Sequence, residues 1–224
     1  MENKVFNVSV GKKYLTQLDN TIRPLETCCP TSIAMALTYS GVGVPKYSGQ
    51  LEDELTKFSN SDRRVVNYYK NHPESWVRRE FTLKRPANEI HDVMAFAVNT
   101  WAGKEVIKFV WNTTLENLAL NILSGKACPL SGSFPLKRRD GALISIGHVV
   151  CLVGFETEQQ DIAVGNIDVK KIKGWIIDDP YGNYKTQYQS REASAGNDIV
   201  MSISDFKKYI RTENTDKKWA YLIK

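Results

Sequence analysis

Apolar side chains follow two periods along this chain. Ile90, Val93, Met94, Ala97, Val98 and Trp101 recur at spacings of three and four, as do Leu115, Leu118, Ala119, Ile122 and Leu123. That period lines one face of a helix and predicts amphipathic helices over 87–101 and 112–124. Thr113 and Glu116 have the spacing of a capping box for the second helix, and Gly125 is placed to stop it. The methionine and aromatic members of these stripes read as core, not as a cofactor box. Another helix starts around Pro30, where a proline in the first turn costs little, and ends at Gly41. Its Ile33, Ala36 and Leu37 give it a buried face.

From residue 127 the period shortens to two. Runs 127–134, 148–156 and 171–178 are β-branched or alternating, bounded by Gly, Pro and Asp, and predict strands. Segments 4–10 and 13–18 read as short extended stretches. Helices followed by antiparallel strands predict an α+β fold. No repeat or Pro/Gly linker divides the chain, so 1–224 reads as a single domain, with the helix-rich 45–112 as an insertion lobe within it.

Composition changes this picture only at its edges. The chain has 224 residues, 42% hydrophobic and 25% charged, with a formal charge of +5. These values exclude a disordered chain, a collagen and a small disulfide framework, and a domain of this size needs no disulfide staple. No apolar run approaches the ~20 residues of a membrane span. The first twenty residues lack an apolar h-region, so no secretory signal is expected. That predicts a protein cytoplasmic at synthesis, reaching any outside target by lysis, a holin or another route. Without such a signal, the sequons at Asn7 and Asn112 carry little weight. Between Asp62 and Arg85 lie seven basic and three acidic side chains, with Tyr68, Tyr69, Trp76 and Phe81 among them. Such a segment suits phosphates or an anionic wall polymer, but it reads first as a solvated helical face, and no nucleic-acid partner is expected.

Four cysteines, Cys28, Cys29, Cys128 and Cys151, show neither CxxC nor zinc-ligand spacing. Cys128 and Cys151 have apolar neighbours and read as small core hydrophobes. Cys28 lies just before the Pro30 helix, where unsatisfied backbone N–H groups favour the thiolate, the reactive form of cysteine. His148 opens the most apolar strand and is placed to serve as general base to a thiol and general acid to a leaving amine. The other histidines, His72 and His91, read as surface or helix-face residues. If strands 148–156 and 171–178 pair with Glu156 opposite Ile172, His148 comes opposite roughly Asp179. A carboxylate there would orient the imidazole, with Asp178 one residue away on the other face as the alternative. Asp161, Asn166 and Asp168 offer oxygen ligands for calcium but read first as solvated loop residues.

The string TQLDNTIRPLETCCPTSIAMALTYSGV resembles the N-terminal motif of papain-like cysteine peptidases. GHVVCLVGFE followed by GWIIDDPYGNY is similar to their Gly-His and Asp-Pro strands, and LSGKACPLSG to the strand before the histidine. The resemblance is to the bacteriocin-processing (double-glycine) peptidase family and its stand-alone relatives, and covers roughly a third of the chain. It implies a papain-like fold with the catalytic helix packed on an antiparallel sheet. It also implies Cys28 as nucleophile, His148 as general base, Asp179 as orienting carboxylate and Gln17 as oxyanion donor. Cys29 stands where the family usually has glycine, and a rival registration makes Cys29 the nucleophile.

The expected activity is amide hydrolysis through a thioester, with no metal or cofactor. Peptidoglycan peptides are the expected substrate, cut by an endolysin of phage or bacterial origin. An acyltransferase using the same triad and a non-catalytic peptide- or wall-binding module are the alternatives.

Overall fold

Helix α1 (Cys28–Tyr39) is buried along nearly its whole length, from Cys29 to Leu37 and again at Tyr39. A helix that is apolar all round belongs inside a core. Its two early hydroxyls are satisfied: Thr31 donates to the Thr27 carbonyl at 2.8 Å and Ser32 to the Val149 carbonyl at 2.9 Å. The Ser32 bond fixes the start of the helix against the strand that carries His148. These features come from a computed structural model, which describes residues 2–71, 90–163, 165–190, 192, 194–214 and 217–224.

The strands are β1 (Lys4–Asn7), β2 (Ile107–Thr114), β3 (Cys128–Lys137), β4 (Leu143–Thr157), β5 (Ile172–Asp178), β6 (Ile199–Ser202), β7 (Thr212–Asn214) and β8 (Lys217–Ile223). They form one antiparallel sheet in the order β2-β8-β3-β4-β5-β6, with β1 on β4 and β7 on β8. The last strand in sequence thus lies between β2 and β3. From His148 onward strand β4 is buried on both faces, which is why its run from Val149 to Val153 is continuously apolar instead of alternating. Val149, Cys151 and Val153 pack with α1, while Val150, Leu152 and Phe155 enter a second core on the opposite face.

Helices α2 (Leu51–Ser61), α3 (Arg63–Asn71) and α4 (His91–Ala102) follow α1. Leu51 and Leu55 of α2 and Met94, Ala95 and Val98 of α4 complete the α1 core. Val65 of α3 joins Ile90, Val93 and Ala97 in a small third cluster. Helices α5 (Leu115–Leu123) and α6 (Ile203–Tyr209) cover the other face of the sheet. The α+β, papain-like architecture expected from the sequence is the one observed. Among the described residues, no helix is long and apolar enough to cross a membrane.

Several local expectations need correction. Residues 112–114 belong to β2, whose alternating IKFVWNTT pairs with β8. The helix is therefore capped by Thr114, in an extended conformation, whose hydroxyl accepts from the Asn117 N–H at 3.1 Å, and not by a Thr113 capping box. Segment 13–18 ends in a 3-10 turn, Gln17–Asp19, with Thr16 at its cap. Strand β4 begins at Leu143, five residues before His148. Its register on β5 sets Glu156 opposite Gly174, not Ile172, because irregularities interrupt the ladder between Leu152 and Gly154 and between Glu156 and Thr157. Of the basic segment, Arg63, Arg64 and Lys70 are exposed on α3, and Arg64 pairs with Asp62 at 3.0 Å. His72, Trp76 and Phe81 lie outside the described residues.

Candidate active site

The first turn of α1 sets the position of Cys28. The helix begins at Cys28 itself, two residues earlier than the proline suggested, with Pro30 inside the first turn. Its opening bond runs from Thr31 N–H to the Thr27 carbonyl at 3.0 Å. The N–H groups before Thr31 have no intrahelical acceptor, so the thiol stands at the positive end of a helix. Cys28 is half-buried, and Cys29 is fully buried.

His148 is 5% exposed and pairs across the sheet with Gly132 of β3. Phe134, Tyr181 and Tyr188 surround the imidazole edge-on, with ring centroids 5.5, 6.2 and 5.9 Å away. Its Nε2 lies 2.6 Å from Oδ1 of Asp179, and Cys28 is a near enough neighbour to act on the ring's charge. With Nε2 committed to the carboxylate, Nδ1 is the nitrogen left for the thiol. Burial alone would lower the imidazole pKa, but Asp179 and then Cys28 outweigh it and push it up to about 10. The buried pair therefore favours imidazolium.

Asp179 is held from every side. Oδ1 also accepts the Tyr181 N–H at 3.0 Å, and Oδ2 accepts the Tyr188 hydroxyl at 3.0 Å. Its own N–H donates to the Gly196 carbonyl at 2.8 Å, and its carbonyl accepts the Tyr14 hydroxyl at 2.5 Å. Asp178 points away, taking the Tyr39 hydroxyl and the Asp198 N–H, both at 2.8 Å. Burial pushes its pKa up to about 6 against those two donors. The carboxylate on the imidazole is thus Asp179, although the β4–β5 ladder ends at Cys151 and Asp178. It reaches His148 because the chain turns just past the ladder, at Pro180.

Gln17 arrives from the 3-10 turn. Its backbone N–H donates to the Pro180 carbonyl at 2.9 Å, one residue beyond Asp179. Its side-chain amide is buried and donates to the Pro24 carbonyl at 2.8 Å. Thr16 also donates to the Pro180 carbonyl, at 3.1 Å. The segment 14–17 is therefore laced onto residues 179–180, which brings Gln17 to the end of the sheet that carries the histidine.

Cys29 and His91 form a second polar chain. Cys29 Sγ is 3.1 Å from the Tyr221 hydroxyl, which is 2.8 Å from His91 Nδ1, and His91 Nε2 is 3.0 Å from the Ser131 hydroxyl. His91 is 7% exposed and stacks on Phe109, so of the surface and helix-face readings it takes the second, on a helix face that is buried in the core. Cys29 is helical and is not among the described non-glycine residues with positive φ, which are Arg23, Gln187, Tyr188 and Asp198. The glycine usual at that position is therefore not needed here for backbone freedom. In the 161–168 loop, Asn166 accepts from Gln159 and Asp168 caps Lys170, both turn-forming roles.

Tyr14, Tyr181 and Tyr188 had no assigned part in the sequence reading. The run of tyrosines at 181, 184 and 188, directly after Asp-Asp-Pro, was the signal available for two of them.

No curated protein matches the chain. Residues 11–209 match the model of the Peptidase_C39 like family, a stretch that contains Gln17, Cys28, His148 and Asp179, and the chain belongs to that family.

Proposed function

We propose that the protein is a cysteine peptidase in which Cys28 is the nucleophile, His148 the general base and acid, Asp179 the orienting carboxylate and Gln17 an oxyanion donor. The observation that carries this reading is the buried His148–Asp179 pair with its 2.6 Å bond, set beside a half-buried thiol at a helix N-terminus that acts on the imidazole's charge. Membership of a peptidase family supports it independently.

The sulfur attacks the scissile carbonyl, forming a C–S bond while the carbonyl oxygen takes the negative charge. The Cys28 N–H and one N–H of the Gln17 amide would receive that oxyanion. The C–N bond then breaks and His148 delivers its proton to the departing amine. Water next adds to the thioester and gives its proton to His148. The C–S bond breaks and the acid leaves.

For the substrate, we infer the peptide stems or cross-bridges of bacterial peptidoglycan, the target of a phage or bacterial lysin. The net charge of +5, with exposed Arg63 and Lys70 on α3, suits an anionic wall.

The test begins with the pH dependence of iodoacetamide alkylation, mapped by mass spectrometry. Fast labelling of Cys28 at neutral pH, slowed in His148→Ala, is expected. Labelling of Cys29 instead, or no dependence on His148, overturns the triad. Release of new amino groups from purified sacculi then tests the wall substrate. A reactive Cys28 with no release from sacculi removes that substrate and leaves the peptidase.

A further inference from the structure

A pocket of about 580 Å³ opens beside the triad, lined by Lys137, Arg138 and Arg139 on one side and Tyr181 and Tyr188 on the other. The two tyrosines are the same rings that flank His148. Tyr188 also gives its hydroxyl to Asp179, and its electrostatic environment includes Cys28. The pocket is thus continuous with the reacting centre through these two side chains.

Its charge is one-sided. Three cations line it against one carboxylate, Asp140, which stands 3.9 Å from the Arg138 guanidinium, a long and exposed contact. Among the described residues, no ion pair engages Lys137 or Arg139.

The wall between cations and tyrosines is held in a costly conformation. Gln187 and Tyr188 both have positive φ, 53° and 60°, a region that non-glycine residues adopt only where their surroundings hold them there. The turn is clamped to the end of β3 by Lys137 N–H to the Gln187 carbonyl at 3.3 Å and by the Gln189 amide to the Lys137 carbonyl at 2.9 Å. One clamp therefore sets both the aromatic floor and the basic rim. The space between Tyr188 and Lys137 is built into the fold.

We propose that this pocket is a substrate subsite for a peptide carboxylate, which the Lys137–Arg138–Arg139 rim receives while the adjoining peptide lies over Tyr181 and Tyr188 toward Cys28. The proposal rests on the peptidase reading for its connection to the thiol. The carboxylate could be an acidic side chain or a free C-terminus, and the experiment separates these.

The full chain carrying Cys28→Ala is titrated, by fluorescence anisotropy, into dye-labelled alanine-rich hexapeptides that carry Glu, Gln or Lys at each position in turn. All are amidated, and the neutral peptide is also supplied as a free acid. Glu at one position, or the free acid, should bind at least about tenfold tighter than its neutral counterpart, a gain that added NaCl erodes. Lys137→Gln with Arg139→Gln should abolish the gain, and Lys137→Glu with Arg139→Glu should reverse it toward the Lys peptides. Equal binding of Glu, Gln and Lys peptides, no binding of any, or a preference that survives both double variants overturns the subsite. Because binding is read without turnover, an unreactive Cys28 in the wild type would sink the peptidase reading alone.

Discussion

Tyr188 donates its hydroxyl to Oδ2 of Asp179 at 3.0 Å, leaving Oδ1 to His148 and the Tyr181 N–H. The two oxygens of one buried carboxylate are thus divided between a fixed phenol and the imidazole. Burial, then Asp179, pushes the phenol pKa upward, so it stays a donor across the working range. Tyr188→Phe keeps the ring against His148 but strips Oδ2 of this donor. A buried acceptor left unsatisfied costs about 1–3 kcal/mol. The urea midpoint should fall accordingly, and alkylation of Cys28 at neutral pH should slow as the imidazole loses its fixed partner. Unchanged stability would mean that Oδ2 finds another donor.

His148 makes the pH dependence specific. Its pKa in the fold is about 10 against 6.5 for an ordinary histidine. The fold therefore binds the proton more tightly than the unfolded chain, and the pair's stabilisation is complete below about pH 6.5 and lost as pH rises toward 10. Activity should hold across neutral pH and fall on an alkaline limb near 10, as the imidazolium of His148 gives up its proton. Asp179→Asn removes the main cause of the rise and leaves burial, which lowers the imidazole. The alkaline limb should then move to lower pH, and the stability difference from wild type should shrink between pH 6.5 and 10. A limb that stays in place in Asp179→Asn would refute the assignment.

How much of this was legible in the sequence depends on distance along the chain. Strands β3, β4 and β5 announced themselves through local period and turn residues, and Cys28 through the helix start beside it. Strand β8 did not, because its reason for being a strand is its pairing with β2 and β3, more than a hundred and about ninety residues away. The burial of His91 was hidden for the same reason. Its partners Tyr221 and Ser131 lie 130 and 40 residues off, and nothing local marks its face as buried. The Asp179 position was reached from an inexact register. The ladder stops before it, and the turn at Pro180 supplies the difference.

Cys29 gives a second test of which sulfur reacts. Its thiol is buried in the α1 core at 3.1 Å from the Tyr221 hydroxyl. Iodoacetamide should leave it untouched in the native protein and reach it only after unfolding. Cys29→Gly removes that contact and puts glycine in a helix, which alone costs roughly 0.5–1 kcal/mol relative to alanine. Thermal stability should drop by more than that, while Cys28 remains the labelled residue. Loss of labelling in Cys29→Ser with the fold intact would restore the rival registration.

Gly196 sets the last constraint, from outside both motifs. The Asp179 N–H donates to its carbonyl at 2.8 Å. A Cβ on Gly196 would run into the Asp179 carbonyl oxygen and press on the Tyr14 hydroxyl that the same oxygen accepts. Backbone cannot yield there as the end of a flexible side chain can, so Gly196→Ala must displace Asp179 or its own loop. Displacement of Asp179 lengthens the 2.6 Å bond to His148, and misplacement by about an ångström at a reacting centre costs on the order of a hundredfold in rate. Gly196→Ala should therefore lower the rate of Cys28 alkylation and bring the alkaline limb down toward that of Asp179→Asn. Ala substitution at Gly165, which has no neighbour within contact distance but a positive φ of 99°, should lower stability without moving the limb. If the two substitutions act alike on the pH profile, the close approach of Gly196 does not position the carboxylate.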